Sequence, residues 1–304
     1  MTNDNALSQQ NYTADKEHLD IICKCFSTTA PKIKNIAPVK SGMTNSSFIF
    51  EFENKKYIFR IPGAGTEELI NRKEEYEVYK KIVPYKICDD LIYFNAENGY
   101  KITKFVDNAR VCNPENEEDV KKCMKTLRDF HNLAIKVNHR FDLFWQIDYY
   151  EKLKSEGSLY SDYAEVKRKV YSLKEFIDTC DKSERLSHID AVSDNFLLTD
   201  EKVYLIDWEY SAMQDPHIDI AMFAIYAFYS KEQVDRLIDI YFENKCDIKT
   251  RLKIYCYIAA CGLLWSNWSE FKLELGVDFG DYALKQYTYA KEYYKYFEES
   301  KKQL

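Results

Sequence analysis

The chain has 304 residues, of which 46% are hydrophobic and 31% are charged, and its formal net charge is −7. This balance excludes a mainly disordered chain and allows one large or two modest domains with a hydrophobic core. The negative charge comes without any basic run, which argues against nucleic acid as a partner but is compatible with a small cationic substrate.

The cysteines and the apolar runs bear on where the protein works. Nine cysteines are scattered along the chain without a C-x-x-C pair, so neither a disulfide framework nor a zinc site is predicted. The longest apolar runs, residues 220–229 and 254–265, are shorter than the ~20 residues that span a bilayer. The polar N-terminal residues lack the apolar region of a secretory signal. We therefore expect a cytoplasmic protein with reduced thiols and no membrane insertion.

The first 106 residues predict a small antiparallel sheet and two helices. Helical spacing covers residues 13–26, and three strands follow in "KIKNIAPVK", "FIFEFE" and "KYIFRIP". The loop "SGMTNSS", residues 41–47, links the first two strands, and a tight Asn-Lys turn links the next two. Residues 66–82 are rich in helix formers, and residues 91–106 predict a hairpin that turns at "AENG".

From residue 107 onward the pattern is mainly helical, with one further hairpin near residue 200. The fold class predicted from these elements is α+β. A sheet-rich domain occupies residues 1–106, a helical domain occupies residues 107–304, and a nucleotide cleft is expected between them.

The hairpin near residue 200 belongs to the stretch "LSHIDAVSDNFLLTDEKVYLIDWEY", residues 186–210. The apolar runs "NFLL" and "VYLI" flank the turn-prone "TDEK". With Phe196 paired to Ile206, Asn195 and Asp207 lie opposite each other, with Cβ atoms roughly 4.5–5.5 Å apart. An amide oxygen and a carboxylate at that separation suit a shared Mg²⁺ ion.

Asp190 lies five residues before Asn195, on the loop that enters the hairpin. It is placed to orient a hydroxyl beside the metal, which is what phosphoryl transfer requires. Protein kinases show the same D-x-x-x-x-N spacing followed by a metal-binding aspartate. The competing interpretation is a surface hairpin with polar ends. His188 is predicted to orient this loop and Asp219 to anchor it.

Phosphate-binding groups are predicted in the sheet-rich domain. Hydroxyls and backbone amides of the 41–47 loop can surround phosphates, and Arg60, at the end of an apolar strand, can grip phosphate oxygens. One of Glu74, Glu75 and Glu77 on the following helix can pair with Arg60. An ordinary hairpin loop and a surface arginine are the competing interpretations. The loop residues predicted to contact the nucleotide are Thr44, Asn45, Ser46 and Ser47.

Aromatic residues near the C-terminus form the second predicted site. Trp265 and Trp268 share one helix face, and Phe279 and Tyr282 follow in "VDFGDY". Aromatic faces hold quaternary ammonium groups by cation–π attraction. Aromatic residues make up 15% of the chain, so core packing is the competing interpretation and, on these residues alone, the favoured one.

Five segments, in order along the chain, carry a resemblance to a known family. They are "GMTNSSF", "NKKYIFRIPGAGTEELINRKEE", "SHIDAVSDNFL", "YLIDWEYSAMQDPHIDIA" and "LWSNWSEFKLELGVDFGDY". The chain resembles choline kinases of the bacterial phosphocholine-decoration type, in the choline/ethanolamine kinase family and the wider aminoglycoside phosphotransferase superfamily. The residues before about Lys32 are poorly covered by this resemblance.

The resemblance implies a bilobal protein-kinase-like fold, with ATP as co-substrate and Mg²⁺ as cofactor. It implies that Asp190 is the catalytic base, that Asn195 and Asp207 hold the metal, and that Glu75 is the partner of Arg60. The implied adenine hinge is Thr103, Lys104, Phe105 and Val106. The implied walls of a choline pocket are Glu209, Tyr210, Trp265, Trp268 and Tyr282.

One position departs from the family pattern. The family usually has a carboxylate near the cationic substrate on the helix after "DIA", where this chain has Tyr226. Ethanolamine or another amino alcohol therefore stays open as the substrate. An antibiotic phosphotransferase and a catalytically silent kinase-shaped binding protein also stay open as functions. The retained Asp190, Asn195 and Asp207 argue against the silent protein.

Overall fold

The computed structural model describes residues 15–39, 45–63 and 65–303. The chain divides into two compact units. The first comprises the residues up to Tyr76 together with Asp89–Asp107, and the second comprises Glu77–Cys88 and the residues from Asn108 onward. The predicted division into functional domains at residue 106 stays a prediction.

A five-stranded antiparallel sheet forms most of the first unit, with the strand order β1-β2-β3-β5-β4. Glu53 and Asn54, both at positive φ, make the tight turn between the second and third strands, as a two-residue hairpin loop requires. The strands are β1 (Lys34–Pro38), β2 (Asn45–Phe52), β3 (Lys55–Pro62), β4 (Leu91–Phe94) and β5 (Lys101–Lys104).

One face of this sheet is covered by the opening helix, α1 (Lys16–Cys25). Ile22 of α1 packs into a cluster with Phe48, Phe50 and Phe59, whose alternating positions put them on the same sheet face. This helix, the three strands that follow it and the second hairpin are as the sequence predicted. The turn predicted at Asn54–Lys55 lies one residue earlier, because Phe52 pairs with Lys55.

The helix predicted to begin at residue 66 begins six residues later, as α2 (Arg72–Ile82). Thr66 instead closes a turn, its carbonyl accepting hydrogen bonds from the amides of Leu69 and Ile70. The side chain of Asn71 then accepts from the amide of Lys73 at 3.2 Å, which marks the helix start, since a side-chain oxygen there satisfies an amide that has no partner within the helix.

Helices dominate the second unit. The longest, α8, is buried around its whole circumference between residues 252 and 272, and it contacts α4, α5, α6 and α9. A helix that is apolar on every side belongs in the centre of a domain. The helices are α3 (Glu117–Asn132), α4 (Leu143–Leu153), α5 (Tyr163–Thr179), α6 (His217–Tyr226), α7 (Lys231–Tyr241), α8 (Ile248–Glu274) and α9 (Tyr282–Ser300).

The second unit also holds two small antiparallel sheets, of order β6-β8-β9 and β10-β7. Only the β8–β9 hairpin was predicted. The other three strands have two or three residues each, too few for an alternating pattern to be visible. The strands are β6 (Arg110–Val111), β7 (Arg185–Ser187), β8 (Phe196–Leu198), β9 (Val203–Leu205) and β10 (Ala212–Gln214).

The predicted register of the β8–β9 hairpin is wrong by one residue. Phe196 pairs with Leu205 rather than with Ile206. The turn causes the shift, because the amide of Thr199 donates to the carbonyl of Lys202 at 3.0 Å and so fixes Leu198 opposite Val203. Asn195 therefore faces Ile206, whose amide donates to the Asn195 carbonyl at 2.9 Å.

Within the described residues, no helix is both long and apolar enough to cross a membrane. All nine cysteines lie in the described part of the chain, and each is a free thiol.

Candidate active site

The carboxylate of Asp219, in the first turn of α6, binds the backbone of the loop between β7 and β8. Its oxygens accept hydrogen bonds from the amides of His188, at 2.8 Å, and Ile189, at 2.7 Å. Ile189 has φ of 68°, a conformation that is costly for a β-branched residue. The two hydrogen bonds to a buried carboxylate offset that cost and confirm the predicted anchoring role of Asp219.

Two histidines complete this support. His188 donates from Nε2 to the carbonyl of Ile206 at 2.9 Å, which ties the loop to the end of β9. Burial lowers the pKa of His188, so its ring is neutral and orients the loop as predicted. The ring of His131 lies 2.9 Å from Asp219 and 2.8 Å from the hydroxyl of Tyr241.

Asp190 and Asn195 are in direct contact at the front of the loop. The side-chain amide of Asn195 donates to the Asp190 carbonyl at 2.8 Å and to the Asp190 carboxylate at 3.2 Å. Burial, followed by the charges of Asp207 and Glu209, raises the pKa of Asp190 well above its ordinary value. The structure thus brings Asp190, Asn195 and Asp207 together, as the motif spacing predicted, with Glu209, which the resemblance implied, close by.

The donor set at this loop fits a magnesium ion. Because the amide nitrogen of Asn195 donates to Asp190, the side-chain oxygen is the Asn195 atom that can serve as an oxygen ligand of the required kind. Asp207 adds a carboxylate, and the described residues contain no cluster of three or more acidic, histidine or cysteine ligands. Mg²⁺ is commonly held by one or two protein side chains together with phosphate oxygens and water, so two protein ligands suffice.

A chain of aromatic rings runs through the same unit. The ring centroids are 5.4 Å apart for Tyr210 and Trp265, 5.4 Å for Trp265 and Trp268, and 5.2 Å for Trp268 and Phe279. Phe279 and Tyr282 follow at 6.5 Å. All five predicted rings are therefore brought together.

Both ends of this aromatic chain lie close enough to Asp190 for its charge to raise the pKa of a ring hydroxyl. Tyr210 directly follows Glu209, which is buried. At the other end, burial and then the charge of Asp190 raise the pKa of Tyr282 well above its ordinary value. Trp265 and Trp268 are 4% and 2% exposed, as the core interpretation requires, but Phe279 and Tyr282 are only half-buried. The rings thus extend from the core to half-buried positions within electrostatic reach of Asp190.

The first unit contains a buried cluster of charges around Glu75. Arg60 approaches the Glu75 carboxylate at 2.5 Å, Arg72 at 2.8 Å and Lys101 at 3.3 Å. Burial alone would raise the pKa of Glu75, but the charges of Arg60, Lys101 and Arg72 offset it and lower the pKa. The predicted pairing of Arg60 with a helix glutamate is confirmed.

Sequence reasoning missed Arg72, Lys101 and Asp89 in this cluster. Burial raises the pKa of Asp89 although Lys101 and Thr103 lie beside it. Arg72 is three residues before Glu75, a spacing that places both on one helix face. Lys101 lies directly across from Arg60 in the β3–β5 pairing, so only the strand register could have identified it.

Three of the four residues predicted to contact the nucleotide from the 41–47 loop are strand residues instead. Asn45, Ser46 and Ser47 belong to β2 and pair with Pro62, Ile61 and Arg60 of β3. They are strand residues, because the β2–β3 ladder continues to its full length despite their polar side chains. Thr44 lies outside the described residues.

The predicted adenine hinge begins within a strand. Thr103 and Lys104 end β5, and the amide of Phe105 donates to the carbonyl of Lys56 at 2.9 Å. Val106 follows and is half-buried.

Tyr226, which stands where the family usually has a carboxylate, is itself bound to one. Its hydroxyl donates to the Asp194 carboxylate at 2.9 Å. Asp194 was not identified from the sequence, although it directly precedes Asn195 in the motif.

Comparison with known proteins identifies the family. A model of the choline/ethanolamine kinase family matches residues 36–260. Protein LicA of Haemophilus influenzae is 30% identical over 260 residues, which cover 81% of this chain and 76% of that protein.

Solved structures agree with this assignment. The crystal structure of choline kinase LicA from Streptococcus pneumoniae is 28% identical and superposes with a TM-score of 0.80, over 92% of this chain and 99% of that one. A structure of LicA in complex with AMP is also 28% identical and gives a TM-score of 0.79, over 93% of this chain and 100% of that one. These similarities confirm the predicted fold class, and the chain belongs to the choline/ethanolamine kinase family of phosphotransferases that act on an alcohol.

Proposed function

We propose that this protein transfers the γ-phosphoryl group of ATP to the hydroxyl of choline and so forms phosphocholine. The observation that carries the proposal is the row of neighbouring rings that begins at Tyr210, next to the buried Glu209, and ends at Tyr282. A hydroxyl held beside Asp190 leaves a short amino alcohol's cationic head among aromatic faces. Those faces suit a trimethylammonium group, which has no N–H to donate.

Asp190 is assigned as the catalytic base. It orients the choline hydroxyl and accepts its proton as the new oxygen–phosphorus bond forms and the bond to the bridging oxygen of ADP breaks. Asn195 supports this role by holding the Asp190 carboxylate through the 3.2 Å hydrogen bond. The raised pKa of Asp190 makes it a stronger base than an ordinary aspartate.

Asn195 and Asp207 are assigned as the side chains that hold Mg²⁺. When bound, this ion supplies charge neutralisation at the phosphate oxygens. Arg60, fixed by Glu75, is assigned to the phosphates as well. The further residues proposed to contact the nucleotide are Thr44, Asn45, Ser46, Ser47, Thr103, Lys104, Phe105 and Val106.

The proposed substrate pocket consists of the aromatic chain and the acids beside it. Each good cation–π contact contributes ~0.5–2 kcal/mol, with the larger values in desolvated sites. The burial of Trp265 and Trp268 therefore favours strong contacts. The residues proposed to surround the substrate are Asp190, Glu209, Tyr210, Trp265, Trp268, Phe279 and Tyr282.

Ethanolamine is the second candidate substrate, because the same hydroxyl chemistry applies to it. Its primary ammonium donates three hydrogen bonds and needs acceptors close by, whereas this pocket offers mainly ring faces. An aminoglycoside carries several such ammonium groups and hydroxyls, so the aromatic lining argues against it more strongly. We place the reaction in the cytoplasm, where ATP is available and free thiols such as the nine found here are stable.

The test is a substrate panel with Mg-ATP: choline, methylated ethanolamines, ethanolamine, homoserine and aminoglycosides. We expect kcat/KM to be highest for choline and to fall as methyl groups are removed. Phosphorylation of an aminoglycoside in preference to every amino alcohol would overturn the proposal. Mg-ATP binding without turnover of any of these acceptors would favour the catalytically silent binding protein instead.

A further inference from the structure

Helix α6 ends at Tyr226, whose hydroxyl donates to the Asp194 carboxylate at 2.9 Å. The two residues are 32 positions apart in the chain, on α6 and on the turn that precedes β8. Tyr226 is half-buried and Asp194 is exposed. Neither residue has a role in the proton transfer or in the metal site assigned above.

The surroundings of this pair place it beside the proposed substrate pocket. Asp194 directly precedes Asn195, which holds Asp190. One turn before Tyr226 on α6, the sulfur of Met222 accepts a hydrogen bond from the Trp265 ring at 2.9 Å. Two residues after Tyr226, the ring of Phe228 lies 6.1 Å from that of Tyr282. Tyr226 therefore belongs to a segment that contacts the aromatic chain on both sides of it.

Between Tyr226 and the start of α7 the sequence contains no acidic residue. The next acidic residue in sequence is Glu232, in the first turn of α7, where its carboxylate accepts a hydrogen bond from the Ser230 hydroxyl at 2.9 Å. Asp194 is thus the carboxylate that the structure brings to the Tyr226 position.

We infer that Tyr226 and Asp194 together form the counter-charge for the substrate's ammonium group and favour a methylated ammonium over a primary one. This inference rests on the proposed function. A phenol that donates to a carboxylate gains electron density, which strengthens the attraction of its ring for a cation. A trimethylammonium group is satisfied by such a ring face. A primary ammonium needs carboxylate oxygens as acceptors, and here the phenol competes with it for one of them.

The test compares Asp194→Asn, Tyr226→Phe, the double variant and the control Asp200→Asn. Asp200 is an exposed aspartate in the β8–β9 turn, so its substitution removes the same charge from the same hairpin. Choline affinity is measured by tryptophan fluorescence without nucleotide or Mg²⁺. The Michaelis constants for choline, ethanolamine and ATP are measured by turnover, and thermal melting checks that each variant is folded.

Each single variant is expected to weaken choline binding by about three- to thirtyfold, the range of one good cation–π contact. The ATP constant stays within twofold, and the preference for choline over ethanolamine narrows. The double variant is expected to lose no more choline affinity than the single variant that binds choline more weakly, because both substitutions break one coupled unit. Asp200→Asn is expected to match the wild type.

Three results would overturn the inference, and they differ in what else they overturn. The folded Asp194→Asn and Tyr226→Phe proteins could bind choline with unchanged affinity while the wild type turns choline over. That result would overturn the inference and leave the proposed function intact. If the wild-type protein fails to phosphorylate choline, both the proposed function and this inference are overturned. An equal loss of choline affinity in Asp200→Asn would assign the effect to general surface charge and would also count against it.

Discussion

Asp219 accepts a 2.7 Å hydrogen bond from the amide of Ile189, a β-branched residue held at φ of 68°. The residue after Ile189 is Asp190, the proposed base. This bond therefore helps to fix the direction in which the Asp190 side chain projects from the loop. Strained backbone next to a catalytic group persists only where the surrounding structure over-determines it. Here a second hydrogen bond, to the His188 amide, shares the same carboxylate.

Replacing Asp219 by alanine is therefore expected to affect stability and catalysis together. Two buried amides and the His131 ring lose their partner, and each unsatisfied buried group costs ~1–3 kcal/mol. We expect a loss of ~3–5 kcal/mol in the free energy of unfolding, measured by urea denaturation, and a fall in kcat of at least ~10²-fold in the folded fraction. Wild-type kcat in a folded Asp219→Ala protein would show that the loop does not depend on this anchor.

Asp190→Asn tests the base directly. The substitution keeps the shape of the side chain but removes its ability to accept a proton, and such a base typically contributes ~10²–10⁴ in rate. We expect turnover to fall by this factor while Mg-ATP affinity, measured by calorimetry, stays nearly unchanged, since the base acts on the alcohol. Near-wild-type turnover would remove Asp190 from the assigned role.

Asp207→Ala tests the metal assignment and is expected to behave differently. Its carboxylate is proposed to reach the nucleotide through the metal, so nucleotide binding and turnover should fall together. The informative measurement is ATP affinity with and without Mg²⁺. In the wild type Mg²⁺ should strengthen binding, and in Asp207→Ala that gain should vanish. A Mg²⁺-dependent gain that survives the substitution contradicts the assignment.

Local patterns predicted much of this site, and long-range contacts account for what they missed. The D-x-x-x-x-N motif and the β8–β9 hairpin lie within one short segment, so spacing alone brought Asp190, Asn195 and Asp207 together. The hairpin register failed by one residue because a turn hydrogen bond between Thr199 and Lys202 decides it, and composition does not reveal such a bond.

Contacts between distant segments were beyond the sequence patterns. His131 and Asp219 are 88 positions apart, and Lys101 and Glu75 are 26 apart. Nothing in the local sequence of either pair specifies its partner. The polar residues Asn45–Ser47 looked like a loop by composition, yet cross-strand hydrogen bonding to β3 extends the strand through them. Tertiary pairing there overrides local preference.

The Glu75 cluster makes a separate prediction about stability. Glu75→Gln leaves three buried cations without their carboxylate, and breaking a buried ion pair from one side costs ~3–5 kcal/mol. The matched control is Glu74→Gln, on the same helix turn but less buried, for which we expect a change within ~0.5 kcal/mol. Chemical denaturation at pH 7 measures both. Equal, small losses in the two variants would show that the cluster does not stabilise the fold.

The sign of the pH dependence follows from the lowered pKa of Glu75. A carboxyl whose pKa is lower in the folded state stabilises the fold at every pH above its unfolded value of ~4.3. That contribution is lost as the pH falls below this value toward the folded-state pKa. The wild-type protein should therefore lose more stability than Glu75→Gln does between pH 5 and the acid range, and a parallel decline in both would contradict this.

Trp265 and Trp268 provide the last test, because the aromatic chain could be a substrate cage or only a core. In the cage, the loss of one ring should cost ~1–2 kcal/mol of choline binding, or roughly five- to thirtyfold in affinity. We expect Trp265→Ala and Trp268→Ala to raise the Michaelis constant for choline by this factor and to leave that for ATP nearly unchanged. The phenylalanine variants keep a weaker ring face and should lose less.

The control is Trp145→Ala, on α4, where the tryptophan is 59% exposed and stacks on Tyr149, neither of them a member of the aromatic chain. It should leave choline binding unchanged. Truncating a buried tryptophan also costs ~3–5 kcal/mol of stability, so binding must be measured on protein that melting curves show to be folded. Suppose the alanine variants lose that stability but the folded fraction binds choline with wild-type affinity. The two tryptophans are then core residues, and the ammonium group must be held by other side chains.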